Sequence, residues 1–327
     1  MISLTPHCST VLQALTHTDR PSRHGLLHGA LFLKGDALSV LQKQWVLMKT
    51  TSRRMVGGTP APHVPWQAMI FLGDSMLDGG YAGGALISDR WILTAGRNLF
   101  VRKSRQDIQG KDPVVPRVYL GISEREEANA STEVAVERVI LHPNFQNHSD
   151  WDNDLALIQL KTPVVMSTKV TPIPLPEADR DLADVVGGSG IITGWGWGAM
   201  LTPATSLRYL ILPLANHSAC KSAYKHVSFA PNVDATMFCT GSGKNQENVC
   251  FGDAGGALAV TDADTRDIYA AGILSYDKSC TRYNYAVYMK LTSYLPWIHS
   301  VIRGDTESSA GLRSDAMSKM YSWQPLV

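Results

Sequence analysis

From Trp66 onward the apolar residues come in short runs, most of them followed within three residues by Gly, Pro or Asp. The first group is Trp66–Leu72, Gly84–Ile87, Arg90–Thr94, Val118–Leu120, Val134–Leu141 and Leu155–Leu160. A polar connector rich in Pro and Asp, Thr162–Asp184, follows. The runs resume at Ile191–Trp195, Tyr209–Leu212, Leu258–Val260, Tyr269–Leu274 and Tyr285–Lys290. Many short strands at regular spacing, divided once by a polar connector, predict an all-β fold of two β-barrels of comparable size. After them Leu295, Ile298 and Ile302 recur at helical spacing, so Ser293–Arg303 is expected to be a closing helix with Ser293 as its cap.

The two ends do not follow this pattern. Residues 1–54 are expected to be an N-terminal pro-segment, with a signal region that is incomplete or wrongly joined. They show no basic start, continuous apolar stretch and small-residue cleavage site in the order an export signal needs. Residues 305–327 are polar and are expected to be a disordered tail. Between them, residues 55–304 form the folded unit. At its edge Ser52-Arg53-Arg54 precedes Met55-Val56-Gly57-Gly58, a basic pair that predicts cleavage after Arg54 and a new amino terminus at Met55.

Composition narrows the function. A net charge of +1 offers no basis for nucleic acid or a membrane surface as partner. No apolar run reaches the roughly 18 residues of a membrane-spanning helix. Of five cysteines, four fall late, at Cys220, Cys239, Cys250 and Cys280, while Cys8 stands apart. This cluster fits two disulfides and an oxidising compartment, or a set of buried thiols. Glycosylation sequons at Asn129, Asn147 and Asn216 favour the first reading, and with it secretion into an extracellular fluid such as blood plasma. The histidines are scattered, and no residue pattern suggests a metal site or a cofactor.

Five segments in order carry a resemblance: Met55-Val-Gly-Gly58, Leu93-Thr-Ala-Gly-Arg97, Asp154-Leu-Ala-Leu157, Thr193-Gly-Trp-Gly196 and Gly252-Asp-Ala-Gly-Gly256. Over residues 55–304 the chain resembles the chymotrypsin family of serine proteases, which implies two six-stranded antiparallel barrels and a C-terminal helix. Active members read LTAAH where this chain has Arg97 as the last residue, and GDSGG where it has Ala254. The acid of the triad corresponds to Asp154 and is kept. Ala254 carries no nucleophile, and a guanidinium does not give up its proton at physiological pH, so Arg97 cannot serve as base. Loss of one triad member already removes most of the acceleration, so a homologue without proteolytic activity is expected. Arg97 either pairs with the buried Asp154 or points to solvent while Asp154 bonds to backbone and water.

The resemblance assigns further roles. Asp253 corresponds to the partner of the new amino terminus, here Met55. Asn248 stands at the base of the specificity pocket and carries no charge. The family pattern pairs Cys220 with Cys239 and Cys250 with Cys280, closing loops of roughly 20 and 30 residues worth about 3 kcal/mol each. Ala82 and Asn98 stand where active relatives have a bridge beside the histidine.

Within the family the chain looks most like the inactive homologues that capture free haemoglobin in plasma. Leu93–Phe100, Phe251–Val260 and Gly272–Cys280 carry this likeness, including Tyr276-Asp277 where catalytic relatives usually have Trp-Gly. Haemoglobin is therefore the expected protein partner. The segment between Cys220 and Cys239 lacks a lysine-rich insertion, so scavenger-receptor docking is not implied. Other ligands on the same scaffold, a microbial surface or a decoy for protease inhibitors, are the alternative, and an active hydrolase with another nucleophile is a third.

Overall fold

A computed structural model describes residues 58–73, 80–99, 113–146, 148, 151–179, 188–198, 202–241, 248–262, 265–277, 280 and 284–304. The expectations placed on residues 1–54, on Met55, on Asn147 and on residues 305–327 lie outside the described residues.

The apolar runs become strands. In the first half these are β2 (Gln67–Phe71), β3 (Tyr81–Leu86), β4 (Trp91–Thr94), β5 (Arg117–Leu120), β6 (Glu133–Val134), β7 (Val136–Leu141) and β8 (Ala156–Leu160). They form one antiparallel sheet in the order β6-β5-β2-β3-β4-β8-β7. The run Val134–Leu141 is not one strand, because β6 pairs with β5 and β7 with β8, at opposite edges of the sheet. Only Ala135 separates them, so the chain itself brings the two edges together and curls the sheet into a barrel. β3 also begins earlier than its apolar residues suggest. Gly83 lies inside it because a Cβ there would stand 2.7 Å from the Gly256 backbone nitrogen, where the two halves of the molecule touch.

The second sheet has the order β1-β10-β9-β12-β13-β14-β11. Its strands are β1 (Thr59–Pro60), β9 (Ser189–Gly194), β10 (Arg208–Pro213), β11 (Met237–Thr240), β12 (Ala257–Thr261), β13 (Ile268–Asp277) and β14 (Ala286–Lys290). A bridge between Leu214 and Thr240, with Ala215 N donating to Cys239 O (2.9 Å), joins the β10 end to β11 and closes this sheet as well. Each sheet therefore holds seven strands rather than six, the two-residue β1 and β6 being the additions. β1 precedes the first barrel in sequence but pairs with β10 of the second. Across the seam, Thr193 Oγ1 donates to the Gln67 side-chain oxygen at 2.6 Å, both residues buried.

Two α-helices accompany the sheets among the described residues, α1 (His217–Tyr224) and α2 (Leu291–Arg303). α2 begins two residues before the expected cap, so Ser293 lies within it, and Lys290 flanks it without a side-chain cap. The fully buried Leu291 holds that first turn by packing instead. Gly304, at φ 84°, ends it. α1 was not expected. Asn216 caps it, accepting from Ala219 N at 3.0 Å, and Cys220 and Tyr224, four apart, supply its buried face.

α2 also encloses His142 at the end of β7, between the rings of Tyr294 (5.3 Å) and Trp297 (4.8 Å). Burial pushes this imidazole down to about 4 from its ordinary 6.5. The folded protein thus holds the neutral ring, and its contribution is intact above pH 6.5 and falls away as pH drops through that value toward 4. Because the ring is partly solvated, the expected loss is on the order of 1–2 kcal/mol. A His142→Phe variant should unfold with a shallower acid slope than the parent in urea titrations between about pH 7.5 and 4.5, and parallel slopes would refute this.

Candidate functional site

Asp154 is fully buried just ahead of β8. The 3-10 turn Gly96–Leu99, following β4, aims its backbone at this carboxylate: Arg97 N donates to Asp154 Oδ1 at 2.7 Å. From β13, Ser275 Oγ donates to Oδ2, also at 2.7 Å. Both oxygens are therefore held by uncharged donors. The Arg97 side chain lies alongside, its Nε 3.8 Å from Oδ2, too long for a hydrogen bond. That Nε is buried and finds no hydrogen-bond partner among the described residues. The guanidinium instead sits 4.5 Å from the centre of the Trp151 ring, a cation–π contact. The geometry thus combines both expectations: Arg97 is buried beside Asp154, and Asp154 takes its hydrogen bonds elsewhere.

Trp151 is the member that the sequence reading missed. Its indole Nε1 donates to Phe229 O at 2.6 Å, and its ring packs on Tyr276 (5.2 Å), which in turn meets Tyr224 edge-on (5.6 Å). The layers Arg97, Trp151, Tyr276 and Tyr224 thus run from the first barrel into the second. A lone Trp three residues before Asp154, in an otherwise polar stretch, was the available signal.

Ala254, expected at the family's nucleophile position, is 7% exposed. Its carbonyl accepts from Gly83 N (2.9 Å) and from the Asn98 amide (2.8 Å). Asn98, expected where active relatives carry a cysteine, thereby ties the Arg97 turn to the Ala254 loop by hydrogen bonding, while Ala82 is buried in the core. Gly255 follows at φ +90°, where a Cβ would stand 2.3 Å from Gly83 O.

Asp253 is buried beneath this loop. Gly196 N donates to Oδ1 (2.9 Å) and Cys250 N to Oδ2 (3.0 Å). Desolvation outweighs these bonds and pushes its carboxyl up to about 7 from 3.8. Gly194 and Gly196 form its cradle, since a Cβ at either would lie 2.1–2.3 Å from a carboxylate oxygen. Asp253 makes no ion pair among the described residues.

Asn248 is also buried, with its amide nitrogen donating to Asn284 O (2.7 Å) and its oxygen accepting from Val249 N (2.9 Å). Disulfides join Cys220 to Cys239 and Cys250 to Cys280. The second staples the Asn248–Ala254 segment to the end of β13, where Asp277 accepts from Cys280 N at 3.1 Å. Asn129 and Asn216 are exposed. Among the described residues, no group of three or more His, Cys, Asp or Glu side chains could hold a metal, and no helix is long and apolar enough to cross a membrane.

The sequence pattern of the trypsin family matches residues 55–298. The chain is 35% identical to the haptoglobin of Canis lupus familiaris, over 77% of its own length and 75% of that protein's. It is 31% identical to the haptoglobin of Mesocricetus auratus, over 86% and 85% respectively. Against the haptoglobin of Homo sapiens the identity is 35%, over 73% of this chain and 57% of that protein. The two antiparallel sheets, the C-terminal helix and this match together show that the chain belongs to the trypsin family, as a haptoglobin-like serine protease homologue.

Proposed function

We propose that this protein is a secreted, catalytically inactive homologue that captures free haemoglobin and so limits haem-driven oxidation and iron loss. The observation that carries the inactive half of this reading is the Asp154 environment. Its two oxygens are occupied by Arg97 N and Ser275 Oγ, Arg97 is stacked on Trp151, and Ala254 offers no hydroxyl. An acid without an imidazole to orient, and without a nucleophile beyond it, has no route to an acyl intermediate. Likeness to the haptoglobins supports haemoglobin as the partner. Two disulfides and exposed sequon asparagines at Asn129 and Asn216 favour secretion with glycosylation. Cleavage after Arg54, with the Met55 amino group received by Asp253, belongs to the same reading. Asn248, neutral and hydrogen-bonded, leaves the former specificity position without a charge for basic side chains.

Mixed with haemoglobin of the same organism, the protein should shift it to a new band in native electrophoresis, and should take no label from a fluorophosphonate. A haemoglobin band that does not move would leave a protease homologue with some other ligand. Covalent labelling would restore the hydrolase reading.

A further inference from the structure

We propose that Phe229 is the apolar anchor of the haemoglobin contact, received by a socket whose rim carries carboxylates that face Lys221 and Lys225; this rests on the haemoglobin reading above. Phe229 is 77% exposed, more than any other large apolar side chain among the described residues of the second barrel. Its φ is +60°, a conformation that bulky residues avoid. Strained backbone of this kind persists where its surroundings impose it, and concentrates at ligand-contacting positions.

The surroundings here are specific. Phe229 O holds the Trp151 indole at 2.6 Å, and Trp151 itself has φ +70°. Two non-glycine residues in left-handed backbone thus lock one another across the seam between the barrels. Val227 N donates to Tyr224 O (3.1 Å) and Ala230 N to Val227 O (3.3 Å), so the segment leaves α1 in two tight turns. The Cys220–Cys239 disulfide brackets it. The ring is therefore displayed from backbone ordered before any partner arrives, which lowers the entropic cost of binding. A few residues carry most of the binding energy of a protein–protein contact, and aromatic side chains are enriched at its core.

Charge indicates the chemistry of the occupant. From Leu214 to Val233 the chain carries Lys221, Lys225, His217 and His226 and no acidic residue. Lys221 in α1 and Lys225, which caps its C-terminal end with helical backbone, are four apart and on one side, and both are exposed, as is His226. Of the acids close to this segment, Asp152, next to Trp151, accepts from His148 N (3.3 Å), Asp234 from Thr236 N (2.8 Å) and Asp277 from Cys280 N (3.1 Å). Neither lysine makes an ion pair with them among the described residues. A basic collar around an apolar tip complements an acidic rim around an apolar socket.

The test is binding kinetics with haemoglobin as the immobilised partner. Phe229→Ala should weaken affinity by about 30-fold, chiefly through faster dissociation. Phe229→Gly should lose as much affinity while melting no lower than the parent, since glycine relieves the positive φ. Phe229→Tyr, which keeps the ring, should bind within about threefold of the parent. The Lys221→Glu, Lys225→Glu double variant should associate about tenfold more slowly at low salt, with the difference shrinking as salt rises. Parental affinity in Phe229→Gly would overturn the anchor and leave the haemoglobin reading standing. Unchanged association of the lysine variant would overturn the acidic rim. No binding by the unmodified protein would overturn both the anchor and the haemoglobin reading.

Discussion

Cleavage after Arg54 is expected to stabilise the protein by on the order of 4 kcal/mol at about pH 7.5, and by far less at about pH 4.5. The reason is that Asp253 has no ion-pair partner among the described residues. Burial raises its carboxyl from 3.8 to about 7 although two backbone N–H groups point at it. A folded-state value above the unfolded one means that the group favours folding while it is protonated. That advantage is complete below pH 3.8 and is lost as pH rises through about 7. A terminal ammonium placed beside the carboxylate would remove the penalty, and only where the carboxylate is ionised. The gap in stability between cleaved and uncleaved protein should therefore open as pH rises from 4 to about 7, and then level off.

The geometry permits the encounter. β1 places Thr59, four residues after Met55, two strands away from Thr193–Gly194 of β9, whose end cradles Asp253. Two strand spacings are about 10 Å, and four extended residues span roughly 13 Å. Urea unfolding of the processed protein and of an Arg54→Gln variant at several pH values would measure the gap. Asp253→Asn in both backgrounds should abolish its pH dependence. A gap independent of pH, or one that survives Asp253→Asn, would show that Asp253 does not receive the terminus.

Arg97→Ala is expected to cost about 3 kcal/mol and lower the melting temperature by roughly 6–10 °C. Removing one member of a buried ion pair commonly costs about 3–5 kcal/mol, since the surviving charge is left uncompensated. Here the lower end applies, because Asp154 keeps its bonds from Arg97 N, a backbone group, and from Ser275 Oγ. Lost contact with the Trp151 face adds to the cost. Arg97→Met, which keeps most of the volume, should cost less than alanine. Asp154→Asn should recover part of the Arg97→Ala loss, because an uncharged partner no longer needs the guanidinium. A double-mutant cycle from thermal melts resolves the coupling; a value near zero would mean that Arg97 acts through its stacking on Trp151 alone.

Much of this was legible along the chain. Missing chemistry can be read directly: alanine at 254 has no hydroxyl and arginine at 97 is no base, whatever the surroundings. Strand runs such as Gln67–Phe71, Trp91–Thr94 and Ala156–Leu160 announce themselves because burial on a sheet selects apolar residues over short stretches. Helix α1 escaped because its N-cap, Asn216, also reads as a sequon, and only two of its eight residues are buried. Ser293 failed as a cap because the buried Leu291 draws the helix start two residues upstream.

By itself, then, the sequence determined the all-β class, the lack of a hydroxyl at Ala254 and of a titratable base at Arg97, and the neutrality of Asn248. These depend on residue identity and on spacing within one strand or turn. Only the tertiary structure decided what the replacements do. Ser275 reaches Asp154 across 121 residues, and Asn98 reaches Ala254 across 156. The Trp151 cover on Arg97, the Phe229 display and the split of Val134–Leu141 between two sheet edges likewise arise where distant segments meet. No local periodicity encodes such meetings, because they are set by the closure of the two sheets and by which carboxylates and rings that closure brings within hydrogen-bonding or packing distance.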